Sequence, residues 1–231
     1  GILAQLDKTG IKLGDVHHIF ITHAHTDHVI GVLWVLRVFI QYRMRGMIEG
    51  QLHIYGHDKS LLVLQTMIDM MLTPKQQQQI GEIVILHELK ANDSFQVGNL
   101  TLTCFDILSK KEKQFGFSTV LPDGKRLCCL GDEPYNPANE IHAKGTDWLL
   151  SESFCLYDHR ETFQPYEKNH VTVKDAAEQA QELGVKNLIL YHTEDWNIAR
   201  RKELYTAEAK EHFTGNVFVP EDLETIVLYI R

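Results

Sequence analysis

The chain has 231 residues, of which 44% are hydrophobic and 23% charged, and its formal net charge is −8. This composition is typical of a soluble globular protein with a sizeable core, and the acidic balance argues against broad, non-specific nucleic-acid binding. The four cysteines have no C-x-x-C spacing, so we interpret them as buried free thiols and expect a cytoplasmic protein. The most apolar stretch, residues 29–40, is too short to cross a bilayer and predicts a core helix, and no membrane partner is expected.

The N-terminal part predicts a helix, a strand and a longer helix. Residues 1–9 read as the end of a helix that Gly10 closes. Residues 17–21 form a short apolar run that is typical of a buried strand. Another helix is predicted from Val29. The intervening segment, which we expect to form a tight loop, has the pattern HxHxDH and contains His23, His25, Asp27 and His28.

These four side chains point to a metal site. His23 and His25 are two residues apart, so an extended segment points them the same way. Asp27 and His28 are adjacent and face a second position. Imidazole and carboxylate ligands suit zinc, and also manganese or iron. Two ligand pairs in one turn favour two neighbouring metals, although a His-rich loop that is merely solvated is the alternative.

The middle of the chain predicts a β-rich region after one further helix. His53, His57 and His87 are interpreted as surface or loop histidines. Lys110, Lys111 and Lys113 are interpreted as a solvated turn. The predicted elements are a strand over 52–56, a helix over 58–72, and strands over 83–86, 100–105, 115–121 and 126–130.

In the C-terminal part, three polar residues stand next to predicted elements. Asp132 follows a strand, and a turn or helix-capping role is its simpler alternative. His170 precedes a helix that Thr172 caps and that runs to residue 183. His192 ends a buried strand. The other predicted elements are a strand over 147–152, whose Glu152 has no certain chemistry, a helix over 200–213, and strands over 217–220 and 225–229.

The motif HxHxDH after a strand, together with Asp132 and His192 at strand ends, resembles the metallo-β-lactamase fold and especially its ribonuclease Z-like branch. The resemblance runs from His17 to Arg231. It implies an α/β chain folded as a four-layer αββα sandwich, with residues 1–231 as one domain of two similar βα halves. Relatives place several strands before the first helix, so the resemblance also implies that this sequence lacks those N-terminal strands.

The resemblance also implies a role for each of these site residues. Asp132 bridges two metals, and one or two Zn²⁺ ions are expected, with Mn²⁺ or Fe²⁺ as alternatives. Asp27 also orients a metal-activated water, and His170 lies by the phosphate as an acid. The implied ligands are Asp27, His28, Asp132 and His192 for one metal, and His23, His25 and Asp132 for the other.

One departure from the family concerns Leu108, which stands where relatives have another histidine ligand. Leucine cannot ligate, so the metal held by His23 and His25 has one protein ligand fewer. The expected function is a metal-dependent hydrolase of phosphoric esters, most plausibly a phosphodiesterase. The alternatives are a lactone or thioester hydrolase of the same fold and a non-catalytic binding protein with a degenerate metal site.

The expected partners follow from the same resemblance. The substrate is a phosphodiester or another ester, RNA is a further candidate, and a homodimer is expected. No long basic, Gly/Pro-rich arm lies between Asp132 and His192. Because tRNA-processing relatives carry such an arm there, its absence argues against processing of tRNA 3′ ends.

Overall fold

The computed structural model describes residues 1–229. These residues form two compact units, one of residues 1–90 and one that begins at Ala91. Each unit contains both helices and a sheet, so the predicted α/β class is confirmed. The expectation of one domain over residues 1–231 stays a prediction. Among the described residues, no helix is both long and apolar enough to cross a membrane.

The first unit is built on a three-stranded parallel sheet with the order β1-β2-β3. Parallel neighbours require crossover connections, and helices provide them here. Its elements are α1 (Ile2–Lys8), β1 (His18–Ile21), α2 (Thr26–Met44), β2 (Leu52–Gly56), α3 (Asp58–Met71), α4 (Pro74–Gln77) and β3 (Val84–Glu88).

The core of the first unit lies between one sheet face and the helices. Alternate strand residues, such as Ile54 and Val84, pack against fully buried side chains of α2 and α3. Seven residues of α2 are buried, which explains its nearly continuous apolar sequence: Val29, Val32, Leu33, Val35, Leu36, Phe39 and Ile40. This packing fixes the first turn of α2, where part of the HxHxDH motif lies.

The second unit contains a seven-stranded sheet with the order β10-β9-β8-β7-β6-β5-β4. Strands β4 to β7 pair antiparallel, whereas β7 to β10 pair parallel. Its elements are β4 (Ser94–Val97), β5 (Leu100–Asp106), β6 (Phe115–Val120), β7 (Arg126–Cys129), α5 (Glu140–Ala143), β8 (Trp148–Glu152), α6 (Arg160–Phe163), α7 (Val173–Glu182), β9 (Asn187–Tyr191), α8 (Arg201–His212) and β10 (Asn216–Phe218).

Helices α7 and α8 cover one face of this sheet. The small buried residues Ala176, Ala177 and Ala180 of α7 lie in the same core as the buried ring of Tyr205 on α8. All four cysteines are free and buried, as predicted. Burial raises the pKa of the Cys104 thiol to about 11, so this group stays protonated at neutral pH.

Three details differ from the sequence prediction. Helix α2 begins at Thr26, so Asp27 and His28 lie on its first turn rather than on a loop. His57 is buried and caps α3, since its side chain accepts a hydrogen bond from the Ser60 N–H. Residues 225–229 are irregular instead of forming a strand, although Leu228 and Tyr229 pack against buried residues.

The cap of α7 gives a stability prediction. The Thr172 hydroxyl accepts from the Asp175 N–H, and the Asp175 carboxylate accepts from the Thr172 N–H at 2.9 Å. Thr172→Ala is expected to lower the free energy of unfolding by about 1 kcal/mol, because the first turn loses its capping hydroxyl. Thr172→Ser keeps the hydroxyl and is the control in urea denaturation. Equal destabilisation by both changes would instead assign the effect to the buried methyl group.

Candidate metal centre

The first unit brings three of the predicted histidines together. His23 is fully buried after β1, and its Nε2 lies 2.9 Å from Nδ1 of His25. The ring centroids of His23 and His28 are 4.1 Å apart. Asp27 lies beside His28, with Oδ2 3.4 Å from Nε2. The residues of HxHxDH therefore form one cluster, even though the last two lie on α2.

This cluster fits a divalent cation by the chemistry of its donors. Imidazole nitrogens that face each other compete for protons unless a cation or a shared proton joins them. The Nδ1 atom of His23 lies 3.0 Å from the Thr22 hydroxyl, which fixes the ring so that Nε2 points towards His25. A hydrogen bond of this kind to the other ring nitrogen is typical of metal-binding histidines.

In the second unit, Asp132 lies just beyond β7 and is held by Gln114. The Asp132 N–H donates to the Gln114 side-chain oxygen at 2.8 Å, and the Gln114 amide donates to Asp132 Oδ1. Gly131 precedes it with φ of +84°, and a Cβ there would lie 2.1 Å from the Gln114 oxygen. Only glycine therefore permits the contact that orients the buried Asp132 carboxylate.

His192 follows β9 and reaches two carboxylates. Its Nε2 lies 3.6 Å from Asp132 Oδ2, and its Nδ1 lies 3.3 Å from Glu152 Oε2. The residue has φ of +55°, an uncommon left-handed conformation outside glycine that turns the ring out of the strand direction. Glu152 itself is fully buried at the end of β8.

Glu152 also contacts His170, so the same side chain contacts both His170 and His192. His170 Nδ1 lies 2.6 Å from Glu152 Oε2 and 3.1 Å from the Asp132 carbonyl oxygen. Because that carbonyl only accepts hydrogen bonds, Nδ1 carries a proton and donates it. Burial raises the pKa of Glu152 to about 8, whereas the hydrogen bond and the charge of His192 act in the opposite direction and favour the carboxylate.

A lysine lies on the other side of His170. Lys111 Nζ is 3.2 Å from His170 Nε2, and since an ammonium only donates, Nε2 accepts. Burial, followed by the positive charge of Lys111, lowers the pKa of His170. The imidazole is therefore held neutral between a carboxylate and an ammonium group. Lys110 and Lys111 are exposed, as predicted for a solvated turn, and Lys111 makes this contact in addition.

Buried Glu133 holds the segment that presents Lys111. One oxygen accepts from the Ser109 hydroxyl, and the other accepts from the Lys110 N–H at 3.2 Å. The second oxygen also accepts from the side chain of Asn169, the residue before His170. A single carboxylate thus fixes both residues of the Lys111–His170 contact.

Leu108 occupies an unusual position on the same segment. Its φ is +59°, its side chain is 51% exposed, and its N–H donates to Asp106 Oδ1 at 2.8 Å. Because the turn exposes the side chain, a histidine would fit here without disturbing the core, and histidine tolerates the left-handed region better than leucine does.

The predicted site residues therefore fall into two clusters, one in each unit. The first contains His23, His25, Asp27 and His28, and the second contains Asp132, His170 and His192. Their convergence on shared cations stays a prediction. Sequence reasoning missed the roles of Glu152, Glu133 and Lys111. Of these three residues, only Glu152 gave a sequence signal. It ends β8, and polar groups at the ends of parallel strands gather where ligands bind.

The candidate donors are imidazole nitrogens and carboxylate oxygens at the ends of parallel strands. This arrangement is typical of a metal-dependent hydrolase. The beta-lactamase superfamily domain matches residues 2–193, and the chain belongs to this family. The ribonuclease Z of Myxococcus xanthus is 26% identical over 259 residues, which cover 94% of this chain and 82% of that protein. The ribonuclease Z of Methanopyrus kandleri is 23% identical and covers 80% of this chain and 71% of its own.

Solved structures support the same fold. The metallo-beta-lactamase fold protein YhfI from Bacillus subtilis has a TM-score of 0.77 at 19% identity, covering 96% of this chain and 81% of its own. The short form of human tRNase Z has a TM-score of 0.70 at 22% identity, covering 100% of this chain and 86% of its own. The metallo-β-lactamase fold predicted from the sequence is therefore confirmed.

Metal content tests whether the two clusters share a cation. His28→Ala and His192→Ala are each expected to lower bound zinc, and the double variant is expected to lose no more than either single variant. The reason is that a cation which loses one nitrogen ligand already binds weakly. Elemental analysis after dialysis measures this, with His212→Ala on α8 as the control. Additive losses would contradict a shared cation.

The Lys111 contact gives a pH prediction. Because the positive charge of Lys111 is one cause of the lowered His170 pKa, Lys111→Ala is expected to raise that pKa, so His170 gains its proton at a higher pH than in the parent protein. An NMR titration of the His170 ring in metal-free protein measures the change. Lys110→Ala is the matched control and is expected to leave the titration unchanged. An unchanged or lower pKa in Lys111→Ala would contradict the contact.

Proposed function

We propose that this chain is a metal-dependent phosphodiesterase of the ribonuclease Z type that hydrolyses phosphoric ester bonds. One observation carries the proposal: His170 lies between Glu152 and Lys111, beside two of the predicted metal ligands. A neutral imidazole with a carboxylate on one nitrogen and an ammonium on the other is suited to moving a proton next to an anionic substrate.

The proposed cations are one or two Zn²⁺ ions, with Mn²⁺ or Fe²⁺ as alternatives. The donors are imidazoles and carboxylates without a thiolate, which fits these three metals. Asp27, His28, Asp132 and His192 would hold one cation, and His23, His25 and Asp132 the other. When bound, the cations supply Lewis acidity and activate a water for attack on phosphorus.

The chain's own residues would orient the reactants and move the proton. Asp27 accepts a hydrogen bond from the attacking water and aims it. Lys111 places a positive charge beside the phosphate oxygens. Nε2 of His170, once it has taken a proton from solvent, delivers that proton to the leaving oxygen, while Lys111 at 3.2 Å keeps its charge. Glu152 holds Nδ1 of the imidazole and stabilises its charged form during the transfer.

Replacement of His170 tests this assignment. His170→Ala is expected to lower turnover of bis(p-nitrophenyl) phosphate by roughly a hundredfold or more, since general acid catalysis is lost. Zinc content is expected to change little, because His170 is not a proposed ligand. Steady-state kinetics and elemental analysis measure both quantities on the same sample. Equal loss of turnover and zinc, or loss of neither, contradicts an acid role.

Two further outcomes bear on the alternatives that the sequence left open. Faster hydrolysis of a lactone or thioester than of any phosphodiester would favour an ester hydrolase of the same fold. Absence of turnover with fully loaded metal would favour a binding protein whose site is degenerate at Leu108. In that case, Leu108→His is the repair to examine, since the exposed turn accepts the larger polar side chain.

The biological setting is proposed on the family resemblance and the buried thiols. It comprises a homodimer, a cytoplasmic location, and a small phosphodiester or RNA as the substrate. Processing of tRNA 3′ ends is not proposed, because the segment between Asp132 and His192 has no long basic arm. Light scattering of the purified chain measures the oligomeric state independently of activity.

A further inference from the structure

An aromatic cluster of the second unit extends from His170, and the proposed chemistry does not use it. Phe154 stacks on the His170 ring, with centroids 4.8 Å apart and planes at 12°. Phe163 meets Phe154 edge to face at 6.2 Å and meets the Trp196 ring edge to face at 5.3 Å. The cluster, which also includes His159, therefore connects His170 to Trp196 through three ring contacts.

Trp196 is strongly exposed, and the turn that carries it is held in place. The residue is 65% exposed, and its backbone N–H donates to the buried carboxylate of Glu194. His159 stacks against the indole at 5.4 Å, with planes at 28°. The side chain of Asn197 lies 3.3 Å from His159 Nδ1 and donates to Glu194 at 3.4 Å. These contacts fix the backbone of Trp196 and the ring behind the indole.

A fixed indole in water has a physical cost that needs an explanation. Leaving a large aromatic ring exposed forgoes the free energy of burying it. A surface tryptophan without a role has no need of one ring stacked on its face and another at its edge. With one face on His159, the other face of the indole is available to a planar partner, which binds without further ordering of the side chain.

Charge is placed at the other end of the cluster. Lys111 Nζ contacts His170 Nε2, and Lys168 Nζ lies 5.5 Å from the centre of the Phe154 ring. Two ammonium groups therefore flank the His170 end, whereas the Trp196 end presents an aromatic face. A ligand that matches both ends carries phosphate at one end and a planar aromatic group at the other. Nucleotides have this form.

We propose that Trp196, supported by His159 and Phe163, binds the base of a nucleotide whose phosphate lies at His170. The inference rests on the proposed phosphodiesterase function for the position of the phosphate. It does not depend on turnover, because base binding requires only the aromatic cluster. Stacking recognises all bases alike, so low base specificity is expected.

Calorimetric binding of AMP and of ribose 5-phosphate to the zinc-loaded protein tests the subsite. AMP is expected to bind more tightly, because only AMP carries a base. Trp196→Ala is expected to weaken AMP binding about tenfold and to leave ribose 5-phosphate binding unchanged. Trp196→Phe retains a flat ring and is expected to lose less. Ile198→Ala is the matched control, since Ile198 is 56% exposed in the same turn and lies outside the aromatic cluster.

Three results would overturn the subsite: equal binding of the two ligands by the parent protein, no binding of either, or the same weakening of both by Trp196→Ala. Circular dichroism of each variant identifies one that has failed to fold, and Trp196→Phe then decides. A Trp196-dependent preference for AMP without phosphodiester hydrolysis would support the subsite and remove the proposed function. Hydrolysis of bis(p-nitrophenyl) phosphate without a preference for AMP would support the proposed function and remove the subsite.

Discussion

The buried carboxylate of Glu152 is the group on which the second half of the site depends. It ends β8 with no exposed surface, and it contacts His170 at 2.6 Å and His192 at 3.3 Å. A buried carboxylate is costly unless charged or polar partners surround it, so these histidines cannot turn away without leaving it unsatisfied. The Val171 N–H, which donates to the second oxygen at 3.1 Å, ties the same carboxylate to the backbone before α7. Packing of the second unit therefore positions both rings.

Strand order explains why these groups meet. Strands β7, β8 and β9 are parallel neighbours, and the residues that follow their carboxyl ends leave the sheet along the same edge. Asp132 and His192 lie beyond β7 and β9, and Glu152 is the last residue of β8 between them. Polar ligands gather at this edge in open α/β sheets because the strand ends and their loops leave space there. The first unit follows the same rule, since His23 and His25 lie beyond the parallel strand β1.

Much of this arrangement could be predicted from the sequence, because hydrophobic periodicity and strand-end polar residues are local signals. The strands that precede His23, Asp132 and His192 were predicted within a few residues, as was the capped helix α7. The contacts of Glu133 and Lys111 could not be predicted, since they join segments more than twenty residues apart and depend on how a loop folds back. Buried His57 was missed for a related reason: its hydrogen bond to the Ser60 N–H satisfies a polar ring that composition alone assigns to the surface.

The segment around Leu108 shapes the electrostatics around His170. The chain turns at Leu108, where φ is +59°, and presents Lys111 to His170. Glu133 stabilises this turn by accepting from Ser109 and Lys110, and it holds Asn169 beside His170 at the same time. The segment therefore places the positive charge of Lys111 beside His170. Such a charge attracts a phosphate strongly and an uncharged ester weakly, because the interaction scales with the charge of the ligand. The electrostatics of this segment thus favour an anionic substrate over a lactone or thioester.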